Sequence, residues 1–139
     1  GMKYFVTLNE KSKGSAIGLE YQLLDDVLHP DAKLGRDGNR TLGSLYDLIK
    51  AKKSERFFRQ PGNWNTGRIV VYPNNHVEHY LNGVKVLEYE RGSQAFRDLV
   101  AQSKYKIWPD FGEAKKGHIL IQDHGNEVSF RSIKIKELK

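Results

Sequence analysis

The sequence predicts an all-β protein, an antiparallel β-sandwich with one short helix. Apolar residues make up 38% of the chain and glycine occurs 13 times, a composition typical of a turn-rich globular protein. Short segments of alternating apolar and polar residues are separated by turn residues along the whole chain. Only one segment has a convincing helical period. Because strands dominate, we expect two sheets packed around one core.

The N-terminal part predicts two strands and a long loop. Residues 3–8 (KYFVTL) and 16–24 (AIGLEYQLL) read as strands on either side of a polar turn. Residues 25–41 contain acids, a proline and glycines without a sustained period, so they are predicted to form a long surface loop. Ser44 followed by Asp47 resembles a capping box, which predicts a single helical turn.

The clearest prediction is a three-stranded meander over residues 68–90. Its second connection is the dipeptide Asn82-Gly83, which favours a two-residue type I′ turn. That turn predicts that His79 lies opposite Val86 and points into the core. We interpret His79 as a hydrogen-bonded core histidine rather than a ligand.

The remaining segments predict one helix and an interrupted strand. Residues 93–102 (SQAFRDLVAQ) have Ser93 as N-cap and apolar residues on one side, so a short helix is expected there. In residues 117–135 (GHILIQDHGNEVSFRSIKI), alternating apolar strand residues are interrupted by Gln122, Asp123 and His124. Three polar side chains at a strand end indicate either a turn or a site.

Composition excludes several classes of function. The chain has no cysteine, which excludes disulfides, thiolate nucleophiles and cysteine-ligated zinc. The net charge is +6, but no nucleic-acid motif accompanies the basic stretch 50–59, so we read it as a solvated loop and expect no nucleic-acid partner. No apolar run reaches the roughly 18 residues of a membrane span, and no signal peptide is visible. Gly1 before Met2 reads as a cloning remnant, which leaves the cellular compartment open.

Polar side chains on two predicted strands indicate a candidate site. Strand alternation puts Glu20 and Gln22 on one face of their strand, and Gln122 and His124 on one face of another. Tyr80 points away from the core side of the meander. Amides, carboxylates and an aromatic ring on one sheet face complement the hydroxyls and the apolar face of a sugar.

Each of these features also has a plain structural interpretation. Trp64 and Asn65 fit a sugar platform, but an anchor for a loop or the core is the commoner role of such a tryptophan. Glu20 and Gln22 could simply face solvent, as one side of an antiparallel sheet often does. The residues 122–125 could form only a turn ended by Gly125. Spacing alone leaves these alternatives open.

Together the segments resemble the 3-keto-disaccharide hydrolase domain family, a concanavalin-like β-sandwich of the jelly-roll type. The resemblance is carried by LEYQLLDD, GSLYDLI, RQPGNWNTGRIVV, VEHYLNGVKVLEYE, SKY and GHILIQDHGNEVSFRSIKI, which occur in the order of the family. Members normally begin with further strands, so we expect residues 1–139 to be a single sandwich domain truncated at its N-terminus. An exposed sheet edge would follow, which predicts a homo-oligomer that covers it.

The resemblance implies cleavage of 3-keto-glycosides or 3-keto-disaccharides by base-assisted elimination and hydration. A ketone at C3 acidifies the proton on C2, so the paired carboxylates of ordinary glycosidases are not required. The alternative is a non-catalytic carbohydrate-binding module with the same fold, and a third possibility is an interaction domain of unknown ligand. The family also suggests a periplasmic or extracellular location.

The chemistry of this reaction suggests roles for residues of this sequence. His124 is the expected base, because imidazole is partly neutral near pH 7, with Glu20 or Asp123 orienting it or acting in its place. Arg131, Gln122 or a divalent ion would stabilise the enolate oxygen. No cofactor is expected to be required, although Glu20, Asp25 and His124 could hold such an ion. The remaining substrate-binding candidates are Gln22, Asp25, Tyr46, Trp64, Asn65 and Tyr80.

Overall fold

The computed structural model describes residues 1–8 and 16–138, and its strands form two antiparallel sheets. The strands are β1 (Met2–Leu8), β2 (Ala16–Tyr21), β3 (Gly67–Val71), β4 (His76–Leu81), β5 (Val84–Glu90) and β6 (His118–Ile121). The helix α1 spans Gln94–Ala101, and 3₁₀ helices span Pro30–Lys33 and Lys104–Ile107. The strand orders are β2-β1-β6 and β3-β4-β5. The predicted all-β sandwich with a short α-helix is confirmed.

The main core lies between the two sheets. Tyr4 of β1 and Leu19 of β2 are directly paired and are both buried. They belong to the same apolar cluster as Val77 of β4 and Tyr89 of β5. Phe96 of α1 closes the cluster, with its ring stacked on Tyr89 at 5.7 Å between centroids. Side chains from both sheets and from the helix therefore share one interior.

His79 is a hydrogen-bonded histidine of this core, as the sequence predicts. Its Nδ1–H donates to the carbonyl of Gly43 at 3.1 Å, and the Tyr4 hydroxyl donates to Nε2 at 2.7 Å. Burial lowers the pKa of His79 to about 4, although the bond to Gly43 favours the charged form. The imidazole is therefore neutral at physiological pH.

The predicted register of the β4–β5 hairpin is wrong at His79. Leu81 pairs with Val84 next to the turn, but His79 pairs with Leu87 instead of Val86. A bulge adds one residue to β5 at this point, so that both Val86 and Leu87 turn inward, with only 3% and 7% of their surfaces exposed. Simple alternation from the turn cannot reveal such an inserted residue.

The predicted helical turn at Ser44 and Asp47 is also absent. Residues 43–46 instead run along the free edge of β2, where Leu45 forms an antiparallel bridge with Tyr21. The Ser44 hydroxyl accepts a hydrogen bond from the amide of Ala51 at 3.0 Å, and Asp47 has a left-handed φ of 62°. Pairing with β2 provides hydrogen bonds for the backbone groups of this segment, whereas a single isolated turn of helix is unstable.

The C-terminal residues depart from the predicted strand pattern. The strand β6 ends at Ile121, and residues 122–138 contain no assigned strand. The amide of Gly125 donates to Asp123 Oδ1 at 2.8 Å, so the interruption after β6 is a turn. The alternating apolar side chains that follow remain exposed, because no strand among the described residues pairs with them.

The N-cap prediction for α1 is confirmed, since the Ser93 hydroxyl accepts from the amide of Phe96 at 3.1 Å. The predicted loop over residues 25–41 is mostly irregular but includes the 3₁₀ helix Pro30–Lys33. Within residues 1–8 and 16–138, no helix is long and apolar enough to cross a membrane.

Candidate functional site

The candidate site lies on the face of the β2-β1-β6 sheet that points away from the core. Glu20 of β2 pairs with Lys3 of β1, and Lys3 pairs with Leu120 of β6. Because neighbours along a strand point to opposite faces, these three side chains lie opposite Leu19 and Tyr21. We call this side of the sheet the polar face.

Residues 43–46 extend the polar face beyond β2. The amide of Tyr46 donates to the carbonyl of Glu20 at 2.9 Å, and the amide of Gln22 donates to the carbonyl of Ser44 at 3.1 Å. Leu45 bridges the inward-facing Tyr21, so alternation puts its neighbours Ser44 and Tyr46 on the side of Glu20. Both are buried, and Tyr46 also packs against Tyr105 of the main apolar cluster. Tyr46 therefore lies beside Glu20.

Polar side chains are buried on this face without hydrogen-bond partners. Glu20 is 5% exposed and Gln22 is fully buried. Among the described residues, Glu20 Oε1, Gln22 Nε2 and Gln122 Oε1 have no partner. Such atoms are rare in folded proteins, because each one loses its hydration without compensation. Three of them on one sheet face indicate a site that a polar ligand can complete.

Gly1 connects Gln122 to this group. Its nitrogen donates to the Gln122 carbonyl at 2.7 Å, and the Gln122 amide donates to the Gly1 carbonyl at 2.9 Å. The same nitrogen lies 4.0 Å from Glu20 Oε1. These bonds hold Gln122, the residue after β6, in the same sheet as Glu20.

A charged cluster borders the polar face at Tyr46. The Arg40 guanidinium donates to Asp47 at 2.7 Å and to Asp31 at 2.8 Å. Burial opposes the charge of Arg40, but these two carboxylates outweigh it and raise its pKa. Burial and the neighbouring Asp31 carboxylate raise the pKa of Tyr46, so its hydroxyl remains protonated.

A lysine completes the cluster. The ammonium of Lys104 lies 4.2 Å from the centre of the Tyr46 ring, and its backbone amide donates to Asp47 at 2.8 Å. Burial lowers the pKa of Lys104, and so does the nearby charge of Arg40, while the charge of Glu20 opposes the shift. We call the following residues the Glu20 cluster: Glu20, Asp31, Arg40, Tyr46, Asp47 and Lys104.

Comparison with known proteins assigns the family. Residues 1–136 match the family described as the 3-keto-alpha-glucoside-1,2-lyase-like domain. The chain belongs to this family. It is 42% identical to a curated protein of Bacteroides thetaiotaomicron named 3-keto-disaccharide hydrolase, and the match covers 86% of the chain but 43% of that protein. The chain thus spans less than half of this relative.

Solved structures of the same class support the fold. A candidate glycosyl hydrolase from Parabacteroides distasonis superposes with a TM-score of 0.72 at 30% identity, covering 90% of this chain and 57% of the other. A second candidate glycosyl hydrolase from the same organism gives a TM-score of 0.50 at 25% identity, covering 66% and 43%. Each neighbour is thus matched over only part of its length.

The expected catalytic residues differ in how far they are buried. Glu20 is buried on the polar face, whereas His124 and Asp123 are exposed in the turn that follows β6. The ring of His124 lies 5.7 Å from that of His29, between centroids. Asp25 lies at the start of the loop, where its Oδ1 accepts from the amides of Val27 and Leu28 at 2.8 and 3.0 Å.

The other expected sugar-binding residues contact residues outside the Glu20 cluster. Tyr80 is on the outer face of the second sheet, where its hydroxyl donates to Glu78 at 2.9 Å. The guanidinium of Arg131 lies 4.0 Å from the centre of the Trp64 ring, so the two residues contact each other. Asn65 Oδ1 accepts from the side chain of Asn82 at 2.7 Å. The structure therefore splits the predicted set into separate groups.

A second polar group surrounds Glu78 on that outer face. Its Oε2 accepts from Tyr72 and Tyr80, and its Oε1 lies 3.2 Å from the Lys85 ammonium. Burial opposes ionisation of Glu78, but these hydrogen bonds outweigh it and lower its pKa to about 2. His76 and Glu88 complete the group. Because Lys85 already supplies the compensating positive charge, we read this group as an ion-pair network.

An apolar cavity of about 290 Å³ lies elsewhere, between Phe57, Phe58 and the β4–β5 hairpin. Its walls carry lysines but no carboxylate, so it lacks a pair of groups for acid and base chemistry.

Sequence reasoning missed the charged part of the Glu20 cluster. Asp31, Arg40 and Lys104 lie in the irregular loop 25–41 and at a 3₁₀ helix, where no periodicity relates them to Glu20. The segment SKY, which carries Lys104, was one of the blocks that carried the family resemblance. The match of this segment to the family was therefore the feature of the sequence that could have pointed to Lys104.

Proposed function

We propose that this chain acts on a 3-keto-glycoside and cleaves it by elimination across C1 and C2 followed by hydration. The buried Glu20 carboxylate carries the proposal, because its Oε1 lacks a partner on a face with unpartnered amides. The family description names a 1,2-lyase, and the Bacteroides relative is named a 3-keto-disaccharide hydrolase. Both names support a keto sugar as substrate.

The proposed chemistry follows from the C3 ketone. A base removes the proton from C2, and the electron pair of that bond forms C2=C3 while the carbonyl oxygen becomes an enolate. The enolate then re-forms the ketone and expels the aglycone oxygen from C1, leaving a C1=C2 double bond. Addition of water to this product gives the free 3-keto sugar. General acid–base catalysis of this kind needs one well-placed base rather than two opposed carboxylates.

Glu20 is the base we favour, because its buried Oε1 has no hydrogen-bond partner among the described residues and can accept the C2 proton. His124 and Asp123, at the rim, are the alternative base and the proton donor for the leaving aglycone. Gln22 and Gln122 would bind sugar hydroxyls through their unpartnered amide atoms. Tyr46 would contact the ring beside Glu20.

The test is monosaccharide release from a 3-keto-disaccharide by the chain and by single variants. We expect Glu20→Gln to lower kcat by about 100-fold or more, the range lost when a general base is removed. His124→Ala should have a smaller effect if the histidine acts only on the leaving group. An equal loss in His124→Ala with activity retained in Glu20→Gln would transfer the base role to the histidine. If the chain binds the sugar but releases no monosaccharide, it is instead a carbohydrate-binding module.

The proposed reaction requires no resident cofactor. The expected ion ligands were Glu20, Asp25 and His124, but Asp25 Oδ1 already accepts two backbone amides. Dialysis against EDTA is expected to leave the release rate unchanged. A loss that Zn²⁺ or Ca²⁺ restores would contradict this expectation.

We also propose that two copies of the chain associate through the β6 side of the first sheet. Among the described residues β6 is an edge strand, and Ile119 is 56% exposed. Ile133 and Ile135, in the unpaired segment that follows, are 63% and 80% exposed. Such edges and apolar residues favour pairing with another strand. Light scattering should report a dimer, and Ile135→Lys should shift it toward monomer.

A further inference from the structure

Lys104 is the first residue of its 3₁₀ helix, and hydrogen bonds fix the position of its backbone. The Ser103 hydroxyl accepts from the amide of Tyr105 at 3.0 Å and donates to the carbonyl of Val100 at 2.8 Å. The amide of Lys104 donates to Asp47 Oδ2 at 2.8 Å. These bonds tie the backbone of Lys104 both to the end of α1 and to the segment beside β2.

The Lys104 side chain extends over two aromatic rings. Its ammonium lies 4.2 Å from the centre of the Tyr46 ring and 5.2 Å from that of Tyr105. A cation over an aromatic face is attracted by the negative charge of the ring surface. The backbone amide of Tyr46 donates to the carbonyl of Glu20, so the ammonium lies over the residue that pairs with Glu20.

The positive charge of Lys104 is not compensated by an ion pair. Arg40, the other cation of the Glu20 cluster, contacts both Asp31 and Asp47. Within residues 1–8 and 16–138, no carboxylate oxygen lies within 4.0 Å of the Lys104 ammonium. Because the Lys104 side chain is also exposed, its hydrogen-bond donors remain available to a ligand.

We propose that Lys104 is a catalytic residue that binds the C3 oxygen of the substrate and stabilises the enolate. This inference rests on the proposed function. When the base takes the C2 proton, the electron pair of the broken bond moves to C2=C3 and negative charge develops on the C3 oxygen. The ammonium donates a hydrogen bond to that oxygen and keeps its own protons throughout. When the enolate expels the aglycone, the hydrogen bond weakens again.

The surroundings of the Lys104 ammonium support this role, although its side chain is exposed. The same surroundings that lower its pKa bring the acidity of the ammonium closer to that of an enol. A preorganised donor aimed at the oxygen where negative charge develops stabilises that charge without reorganisation during the reaction. The charge of Arg40 is already compensated by two carboxylates, whereas Lys104 has no ion pair in the described part of the chain.

The first test compares three variants in the same release assay. Lys104→Met is expected to lower kcat by about 100-fold, the range found when one such donor is removed. Lys104→Arg should restore part of the rate, since it keeps a cation at the same place. Lys106→Met is the matched control, because Lys106 lies in the same short helix with an exposed side chain, and its rate should be unchanged.

A second measurement separates enolate formation from loss of the aglycone. Exchange of the C2 proton of a 3-keto sugar in D₂O, followed by NMR, should be slowed in Lys104→Met as strongly as release is. Thermal unfolding of the variant should match the unchanged chain, because the ammonium lies at the surface end of the cluster. Release and exchange at the unchanged rate in Lys104→Met would overturn the proposal while the proposed function stands.

Two further outcomes are decisive. Absence of release by the unchanged chain would overturn the proposed function itself, and this inference with it. Incubation with the 3-keto sugar and cyanoborohydride should leave the mass of the chain unaltered. A sugar adduct on Lys104 would show an imine at the ketone and would overturn the purely electrostatic role.

Discussion

The Tyr4 hydroxyl lies 2.7 Å from His79 Nε2, which joins the two sheets of the sandwich through a buried hydrogen bond. The hydroxyl of Tyr89 lies 2.7 Å from the same Tyr4 oxygen. With His79 donating to the Gly43 carbonyl, Tyr89 donates to Tyr4 and Tyr4 donates to the histidine. The chain of donors is complete only when the imidazole is neutral.

The His79 pKa predicts how stability depends on pH. The pKa is about 4 in the folded chain against 6.5 for an ordinary histidine, so the unfolded state binds the extra proton first as pH falls. We expect the free energy of unfolding to decrease between pH 6.5 and 4 by about 3 kcal/mol from this residue.

Urea denaturation across that pH range measures the effect. In His79→Gln the free energy of unfolding should depend less on pH. In His118→Gln, which changes an exposed residue, the pH dependence should match that of the unchanged chain. Parallel pH curves for the unchanged chain and His79→Gln would contradict the prediction.

Arg40 is expected to be important for stability as well as for the site. Arg40→Met leaves Asp31 and Asp47 without their shared cation, so the free energy of unfolding should fall by about 3 kcal/mol. The comparison is Arg97→Met, which breaks the more exposed pair with Glu113 and should cost less than about 1 kcal/mol. Equal losses in the two variants by urea denaturation would refute the distinction.

Gly112 is predicted to tolerate no side chain. Its φ is 75°, and an added Cβ would lie 2.7 Å from Leu19 Cδ2 and 2.9 Å from Phe96 Cζ. Gly112→Ala should therefore destabilise the chain by about 3 kcal/mol, from backbone strain and overpacking together. Gly125 has a similar φ of 84° but no atom within 4 Å, so Gly125→Ala should cost only about 1 kcal/mol. Thermal denaturation of both variants gives the comparison.

Ser103 and Ser93 offer a test of how Lys104 is positioned. Each hydroxyl caps a helix, so Ser103→Ala and Ser93→Ala should each lower stability by about 1 kcal/mol. Only Ser103 precedes Lys104, and we expect only Ser103→Ala to lower kcat, by several-fold. If both variants retain the full kcat at a matched loss of stability, the cap does not position the lysine.

The strands with clear alternation and strong turn residues were predictable from sequence. The hairpin at Asn82-Gly83 and the N-cap at Ser93 depend on local chemistry, and both are found in the structure. The bulge at Val86 and the pairing of residues 43–46 with β2 were not predictable, because each depends on partners distant in sequence. The part of the predicted strand segment 117–135 that follows the interruption at 122–124 has apolar alternation but lacks a pairing strand among the described residues.

The sequence by itself determined the all-β class, the family and the candidacy of Glu20, because alternation, turn residues and motif order are local properties of the chain. Only the tertiary structure decided which polar groups surround that carboxylate. Arg40 and Lys104 reach Tyr46 from separate irregular segments, and long-range packing alone brings such segments together. Burial, which leaves Glu20 Oε1 without a partner, is likewise a property of the folded chain.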